Sequence, residues 1–562
     1  MTEPDVVEAA EPQAPKLADR RGRVRTVASW GLTVVAFLVV WFALVAPNQL
    51  NRMTPGAFLR IPVEGLVLVA ICLVVPRRGR QILAALVGVL LGVLFIVKLL
   101  DLSFYVALDR PFSPVTDWGN LKPALGVLRD SIGNNKTVAA EVIAVLLIVA
   151  VLVFVPLAVL RLTRLTSGHR TNSARAVTAL GLVWILCIAF GANFAAGEPI
   201  ASRSAAILTY DHATAVRADI KDQRTFESAL KSPDPIAGTP NADLLTGLRG
   251  KDVLVVFIES YGEVAVRGSS YSTQIDSVLK SGNSQLKAAG FSSRSAFLTS
   301  PTFGGISWLA HSTLQSGLWI NNQQRYGQLV KSNRFTLSDA FKNAGWRTVS
   351  DDPADNLPWP EGKSFYHYDK LYNSLTVGYK GPKFSYAPVP DQYTLAAFQR
   401  NELATPHRKP LMAEIDLVSS HAPWTPLPHM VNPSQVGDGS IYKGMPQQGQ
   451  SPSVVWRDSQ KVKDVYGQSI QYSLNSLFTF VKNSHDKNLV VVALGDHQPG
   501  TTASGPDASH QVPISIIAHD PKVLDQPASW GWQDGMLPDP HAPVWPMDAF
   551  RNRFLTAYGA KG

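Results

Sequence analysis

Cysteine is almost absent from this 562-residue chain: Cys72 and Cys187 are the two present, and both fall inside long apolar runs. Everything after about residue 197 is therefore without a thiol or a disulfide. That excludes a disulfide scaffold and a cysteine nucleophile there, and requires the region to fold on its own core. A cleavable leader is not expected either, because the first apolar run is too long, and too closely followed by others, to be a signal peptide. Nor is the net charge of +9 that of a nucleic-acid binder, since it owes much to short arginine clusters between apolar runs, where arginine sets orientation in a membrane.

What is abundant is apolar sequence before residue 197. Runs at 27–46, 57–76, 82–100, 138–160 and 176–196 each approach the ~20 residues that span a bilayer, so five membrane helices are expected. Arg20, Arg21, Arg23 and Arg25 precede the first run, Arg77, Arg78 and Arg80 follow the second, and Arg161, Arg164, Arg170 and Arg175 separate the fourth from the fifth. With the N terminus inside, all three clusters are cytoplasmic, and an odd number of spans carries the rest of the chain outside the membrane. The domains expected are a disordered cytoplasmic 1–26, a five-helix transmembrane 27–196, an amphipathic linker 197–249 and an extracytoplasmic 250–562. The loop 101–136 is external, with Phe104, Tyr105, Phe112 and Trp118 at the interface; Lys98 and Asp101, at the end of the third run, are expected to snorkel, with the lining of a headgroup path as the alternative.

From residue 250 apolar strand-length runs alternate with helical patterns: strands at 252–258, 346–350, 411–418, 489–494 and 512–517, helices at 336–344, 392–403 and 467–482. Strands apolar throughout belong in a sheet covered by helices on both faces, so the domain reads as an α/β sandwich with a mostly parallel central sheet. Sites in such sheets lie beyond the carboxyl ends of strands. That rule selects Glu259 after the first strand, Ser419-Ser420-His421 after the 411–418 strand, and Gly495-Asp496-His497 after the 489–494 strand. Each offers a metal ligand at the lip of an apolar strand, where a helix cap, a turn or a surface histidine is the alternative reading of each taken singly.

A further stretch, PTFGGISWLAHSTLQSG at 301–317, reads as a tight turn entering a helix. Gly304 and Gly305 permit the turn, and Ser307 stands where unpaired N–H groups and the helix dipole favour an alkoxide and an incoming phosphate. A helix cap is the plain alternative. Thr302, beside Pro301, is the second candidate nucleophile; its position in the loop fits a turn-shaping role better.

With these residues together, the sequence resembles the alkaline phosphatase and sulfatase superfamily, and within it the lipoteichoic acid synthase type of phosphoglycerol transferase, with the phosphoethanolamine transferases as close relatives. The motifs are FIESYG around Glu259, GGISW around Ser307, SSHAPW at 419–424 and GDHQP at 495–499. The resemblance implies an alkaline phosphatase-like fold in a bacterial cell-membrane enzyme, with Glu259, Asp496, His497 and the Ser307 oxygen around one divalent cation (Mn, Zn or Mg). Ser307 would attack phosphorus on a membrane phospholipid donor and pass the group to an envelope glycan or lipid, with no nucleic acid involved. His421 would hold a phosphate oxygen or protonate a leaving group, and Trp424, His510 and Tyr366 would contact substrate. Asp416, His421 and His510 are the candidates for a second metal. The chain departs from the resemblance in carrying serine where threonine is usual. It also has Phe365-Tyr366-His367-Tyr368 where lipoteichoic acid synthases carry Phe-Trp-Asn-Arg, which leaves the transferred group open between phosphoglycerol and phosphoethanolamine. A phosphodiesterase or sulfatase-type hydrolase and a catalytically inactive envelope-assembly module are the alternatives. A formylglycine sulfatase is disfavoured, because Ser307 is followed by Trp-Leu-Ala-His and not by the x-Pro-x-Arg its maturation needs.

Overall fold

The computed structural model describes residues 17–560, so residues 1–16 of the expected disordered segment lie outside the described residues. The chain divides into two compact units, one of Met1–Leu100 with Glu141–His212, the other of Asp101–Ala140 with Ala213–Gly562. The helices of its first part are α1 (Leu17–Val45), α2 (Val63–Val74), α3 (Arg77–Leu108), α4 (Leu121–Ile132), α5 (Asn134–Gly168), α6 (Arg170–Ala189) and α7 (Ser204–Lys231).

Among the described residues four helices, not the five expected, are long and apolar enough to cross a membrane: Val24–Val45 of α1, and α3, α5 and α6. The run at 57–76 yields only the 12-residue α2, about 18 Å at 1.5 Å per residue, short of the ~30 Å hydrocarbon layer. Proline is the reason. Pro62 is extended at the helix N-cap, and Val75, preceding Pro76, is turned out of the helical region at φ −70°, ψ 139°. The last run also stops early, at Ala189, because Asn193–Ala195 pairs with Glu198–Pro199 as a small hairpin.

Within the first unit the short helix still returns the chain. At one end, Trp41 Nε1 donates to the Phe58 carbonyl, Ile61–Pro62 pairs with Ala201–Ser202, and Lys98 Nζ donates to the Ala43 and Leu44 carbonyls at 2.9 and 3.0 Å. Lys98 therefore caps the end of α1, and does not snorkel. At the other end, Arg161 Nε donates to Thr33 Oγ1 at 3.1 Å and Arg170 donates to the Leu73 carbonyl.

The second unit is built on a nine-stranded sheet. Its strands are β1 (Asp252–Ile258), β2 (Ser292–Thr299), β3 (Arg347–Asp352), β4 (Lys370–Asn373), β5 (Leu411–Leu417), β6 (Leu489–Gly495), β7 (Gln511–Ala518), β8 (Gln533–Asp534) and β9 (Val544–Pro546). The order is β8-β2-β7-β6-β1-β5-β3-β4, with β9 beside β2, and β7 and β8 alone run against the rest. Every residue of β1 is buried. Val253, Val255 and Phe257 enter the core on one face, and Leu254, Val256 and Ile258 the core on the other, as a sheet covered on both sides requires. Helices α8 (Ser272–Ala288) and α10 (Ser459–Ser484) pack against one another on the second face.

At the carboxyl end of β3, Asp351 is 1% exposed, neither of its carboxylate oxygens has a hydrogen-bond partner, and burial together with Asp352 and Glu402 pushes its pKa up to about 8. The folded chain thus holds a proton that the unfolded chain releases near its ordinary 3.8. Stability falls as pH rises between these values, by about 1.4 kcal/mol per unit at most. Asp351→Asn is expected to raise the melting temperature clearly more at pH 8 than at pH 5; equal shifts at the two pH values in a thermal melt would refute this.

Candidate active site

Sheet register brings the first two acidic residues together. Gly495 of β6 is paired with Ile258 of β1, so the next residues, Asp496 and Glu259, leave neighbouring parallel strands side by side. Two glycines allow the loops beyond to touch. A Cβ at Gly495 would stand 1.9 Å from the Tyr261 carbonyl oxygen, and one at Gly262 1.8 Å from Gln498 Oε1, so the FIESYG and GDHQP motifs interlock only with glycine at both places.

Glu259, Asp496 and His497 are all buried and bring one ligand atom each within 4.8 Å of one another. Their remaining atoms are tied back. Asp496 Oδ1 accepts from the Ser260 and His497 backbone N–H groups at 2.8 and 2.7 Å, which leaves Oδ2 on the His497 side, 3.5 Å from Nε2. His497 Nδ1 lies 2.8 Å from the Gln498 carbonyl oxygen, which keeps a proton on Nδ1 and turns Nε2 inward. Ser260 Oγ donates to Glu259 Oε1 at 2.7 Å. Two carboxylates and one imidazole with outer atoms satisfied form a donor set that fits a divalent cation.

Ser307 joins them. It is the first residue of α9 (Ser307–Ser316), and its Oγ donates to Glu259 Oε2 at 2.9 Å and lies 3.2 Å from His497 Nε2. The turn before it is anchored on the GDHQP loop, with Ser300 Oγ donating to the Asp496 carbonyl at 2.5 Å and Gly304 N to the Gln498 carbonyl at 2.8 Å. Ile306, a β-branched residue, is held at φ 65°, a left-handed conformation that costs energy and aims the following hydroxyl at the cluster. Thr302 instead spans the turn, its Oγ1 donating to the Gly305 carbonyl at 2.6 Å. Thr302→Ala should therefore slow turnover by only about threefold, the loss of one neutral hydrogen bond; a loss as deep as that of Ser307→Ala would move the nucleophile to residue 302.

Charge at the cluster is balanced by proximity. Burial and Glu259 raise Asp496 to about 7, whereas His497, which burial alone would lower, is raised to about 9 by Asp496 and Glu259. Glu259 lies well below the ordinary range in spite of its burial, because the His497 and His421 charges favour its ionised form.

The other predicted residues are spread around this centre. His421 Nδ1 is 2.6 Å from the Ala422 carbonyl oxygen and its ring stacks on Tyr386 at 3.8 Å, while Ser420 Oγ ties its loop to the Glu259 carbonyl. Trp424 and Tyr366 are each 3% exposed. Trp424 donates to the Ser420 carbonyl and Tyr366 hydrogen-bonds Ser312, so both brace the core behind the site. His510 lies against the Phe303 ring at 5.3 Å.

Asp416 is brought together with neither His421 nor His510. Its neighbours are His311, one helical turn beyond Ser307, and Glu414: His311 Nδ1 is 3.3 Å from Glu414 Oε1 and 3.7 Å from Asp416 Oδ1. Burial would lower His311, but Asp416 and Glu414 raise it to about 10, so it is an imidazolium between two acids, stacked on Phe257 at 3.8 Å. Sequence reasoning did not reach His311 or Glu414. The signal available was the i, i+4 spacing from Ser307 and the two-residue alternation of Glu414 with Asp416 on one sheet face. A cavity of about 350 Å³ lies beyond β3 and β4, lined by Ser350, Asp352, Asp355, Trp359, Tyr372 and Asn373 among others, with no lysine or arginine.

The chain is similar to several solved structures, one of them a protein in the alkaline phosphatase superfamily from Vibrio parahaemolyticus. It is similar to the lipoteichoic acid synthase LtaP from Listeria monocytogenes (13% identity, covering 60% of this chain and 78% of that one, TM-score 0.37). It is similar also to the Streptococcus pyogenes phosphoglycerol transferase GacH in complex with sn-glycerol-1-phosphate (12%, 60% and 92%, TM-score 0.35). A third is the C-terminal periplasmic domain of EcEptC from Escherichia coli in complex with Zn (13%, 55% and 82%, TM-score 0.36). No family model and no curated protein matches the chain.

Proposed function

We propose that this chain is a membrane-anchored, cation-dependent transferase that moves a phospho-headgroup from a lipid donor to an envelope glycan or lipid through a phosphorylated Ser307. The observation that carries the reading is the position of Ser307 Oγ, 2.9 Å from Glu259 and 3.2 Å from His497 at the head of a helix. Ser307 passes its proton toward Glu259, whose Oε2 already accepts from it, as Oγ bonds to phosphorus and the donor alcohol leaves; the backbone N–H groups at the start of α9 would face the phosphoryl oxygens. A divalent cation held by Glu259, Asp496 and His497 would supply acidity to the hydroxyl and offset charge on the phosphoryl group. His421, on a loop tied to Glu259, would protonate the leaving oxygen. Reversal of the same steps with an acceptor hydroxyl regenerates the serine.

The bundle supports an orientation: Arg161 and Arg170 belong to the end that holds Thr33 and Leu73, and the chain leaves the bundle at the opposite end, near Ser202. The positive-inside rule then favours a cytoplasmic arginine end and an extracytoplasmic catalytic unit. The test uses the full chain in vesicles with phospholipid labelled in the headgroup. Label is expected in an added envelope glycan or lipid acceptor; release to water alone, with acceptor present, would make the protein a phosphodiesterase instead.

A further inference from the structure

The nucleophile turn does not stand on the main catalytic domain alone. The last two turns of α3 and the loop after them belong to the same compact unit as Ser307. They meet the turn at two places. On the side before Ser307, a Cβ at Gly304 would lie 1.7 Å from the Ala107 carbonyl oxygen, and a Cβ at Gly305 would lie 3.8 Å from Leu108 Cδ2. Gly304, at φ 70°, is thus required both by its conformation and by the carbonyl pressed against it. The neighbouring GDHQP loop is held by the same helix end, since Thr501 Oγ1 donates to the Val106 carbonyl at 3.0 Å. On the side after Ser307, Gly119 packs so closely on Gln323 that a Cβ there would be 2.5 Å from Cγ, and Gln323 Oε1 accepts from Trp308 Nε1 at 2.8 Å.

The segment between these contacts is itself well built. Asp101 is fully buried and accepts from the Phe112 N–H at 3.0 Å, Arg110 and Asp117 form a two-pronged ion pair, and Phe112 packs edge-on to both Phe104 and Trp118. The carbonyl end of a helix is a row of unpaired acceptors, and here two of them, from Val106 and Ala107, are directed at the loops carrying Asp496 and Ser307.

We propose that residues 106–119, between two membrane helices in sequence, are a positioning element for the nucleophile: they set the Ser307 hydroxyl and the GDHQP loop against each other. This rests on the reading of Ser307 as the nucleophile. It places the working catalytic domain in two pieces of chain, so that a domain cut at about residue 200 lacks part of the wall behind its own nucleophile.

The test compares Thr501→Val, Thr501→Ser and Gly119→Val in the full chain, with kcat, KM, bound metal and melting temperature measured for each. Thr501→Val is expected to lower kcat about tenfold for loss of the hydrogen bond, and Gly119→Val, which displaces Gln323 and frees Trp308, about 100-fold. KM and metal content should stay at the wild-type level, and Thr501→Ser, which keeps the donor, should restore the rate. Unchanged kcat in Thr501→Val would overturn the proposal, provided Ser307→Ala is inactive in the same assay. So would a rate loss that follows falling metal content or melting temperature, the mark of a structural contact only. If Ser307→Ala is active, the nucleophile assignment fails first.

Discussion

Ser307→Ala is expected to lose headgroup transfer by at least about 1,000-fold, the loss typical of removing a covalent nucleophile. It should lose the covalent adduct with it, and keep most of its cation affinity. The basis is that Oγ is the hydroxyl at the cluster with two partners there, Glu259 and His497, whereas Glu259, Asp496 and His497 are held by contacts that do not involve Ser307. Removing it vacates the reacting atom and leaves the cation's carboxylates and imidazole in place. Turnover, adduct and metal content, measured on one preparation, check this. A variant that loses its metal along with its activity would mean that Ser307 is chiefly a ligand.

Asp496→Ala and Glu259→Ala should each reduce cation affinity by more than about 100-fold, beyond the effect of losing an outer-sphere partner. The folded structure should survive, since both side chains leave the ends of strands whose cores lie below them. In the cation-free protein the two acids repel, and Asp496 responds by holding a proton up to about pH 7. Cation binding must displace that proton and the one His497 keeps to about pH 9. Affinity should therefore rise with pH through this range and weaken below about 7. Chelation should lower the melting temperature of the wild type and leave that of either variant unmoved. Isothermal titration at pH 6 and pH 8 measures the affinity; a pH-independent affinity, or full metal occupancy in either variant, contradicts the ligand assignment.

The centre was legible because each ligand follows an apolar strand by one or two residues, and strand ends in a parallel sheet are where sites form. Glu259 and Asp496 needed no knowledge of register, yet register is what makes them neighbours. Strand β2 was not legible, since its first half, Ser292-Ser293-Arg294-Ser295, has no apolar run. The second run was counted as a span because hydropathy averages over Pro62 and Pro76, which shorten the helix between them to 12 residues. His311 looked like one more residue of a helix until Glu414 and Asp416 were brought under it. Least legible was the part played by residues 106–119. Nothing in a loop between two apolar runs points to Gly304, almost 200 positions on, and only the fold shows the Ala107 carbonyl against it.

The most direct measurement is the mass of the peptide carrying Ser307 after the full chain is incubated with envelope phospholipids and quenched in acid. A phosphorus-containing adduct localised to Ser307, with a mass that identifies the headgroup and absent from Ser307→Ala, is the expected result. An adduct on Thr302, or turnover of donor lipid with no adduct at any quench time, would contradict a phosphorylated Ser307.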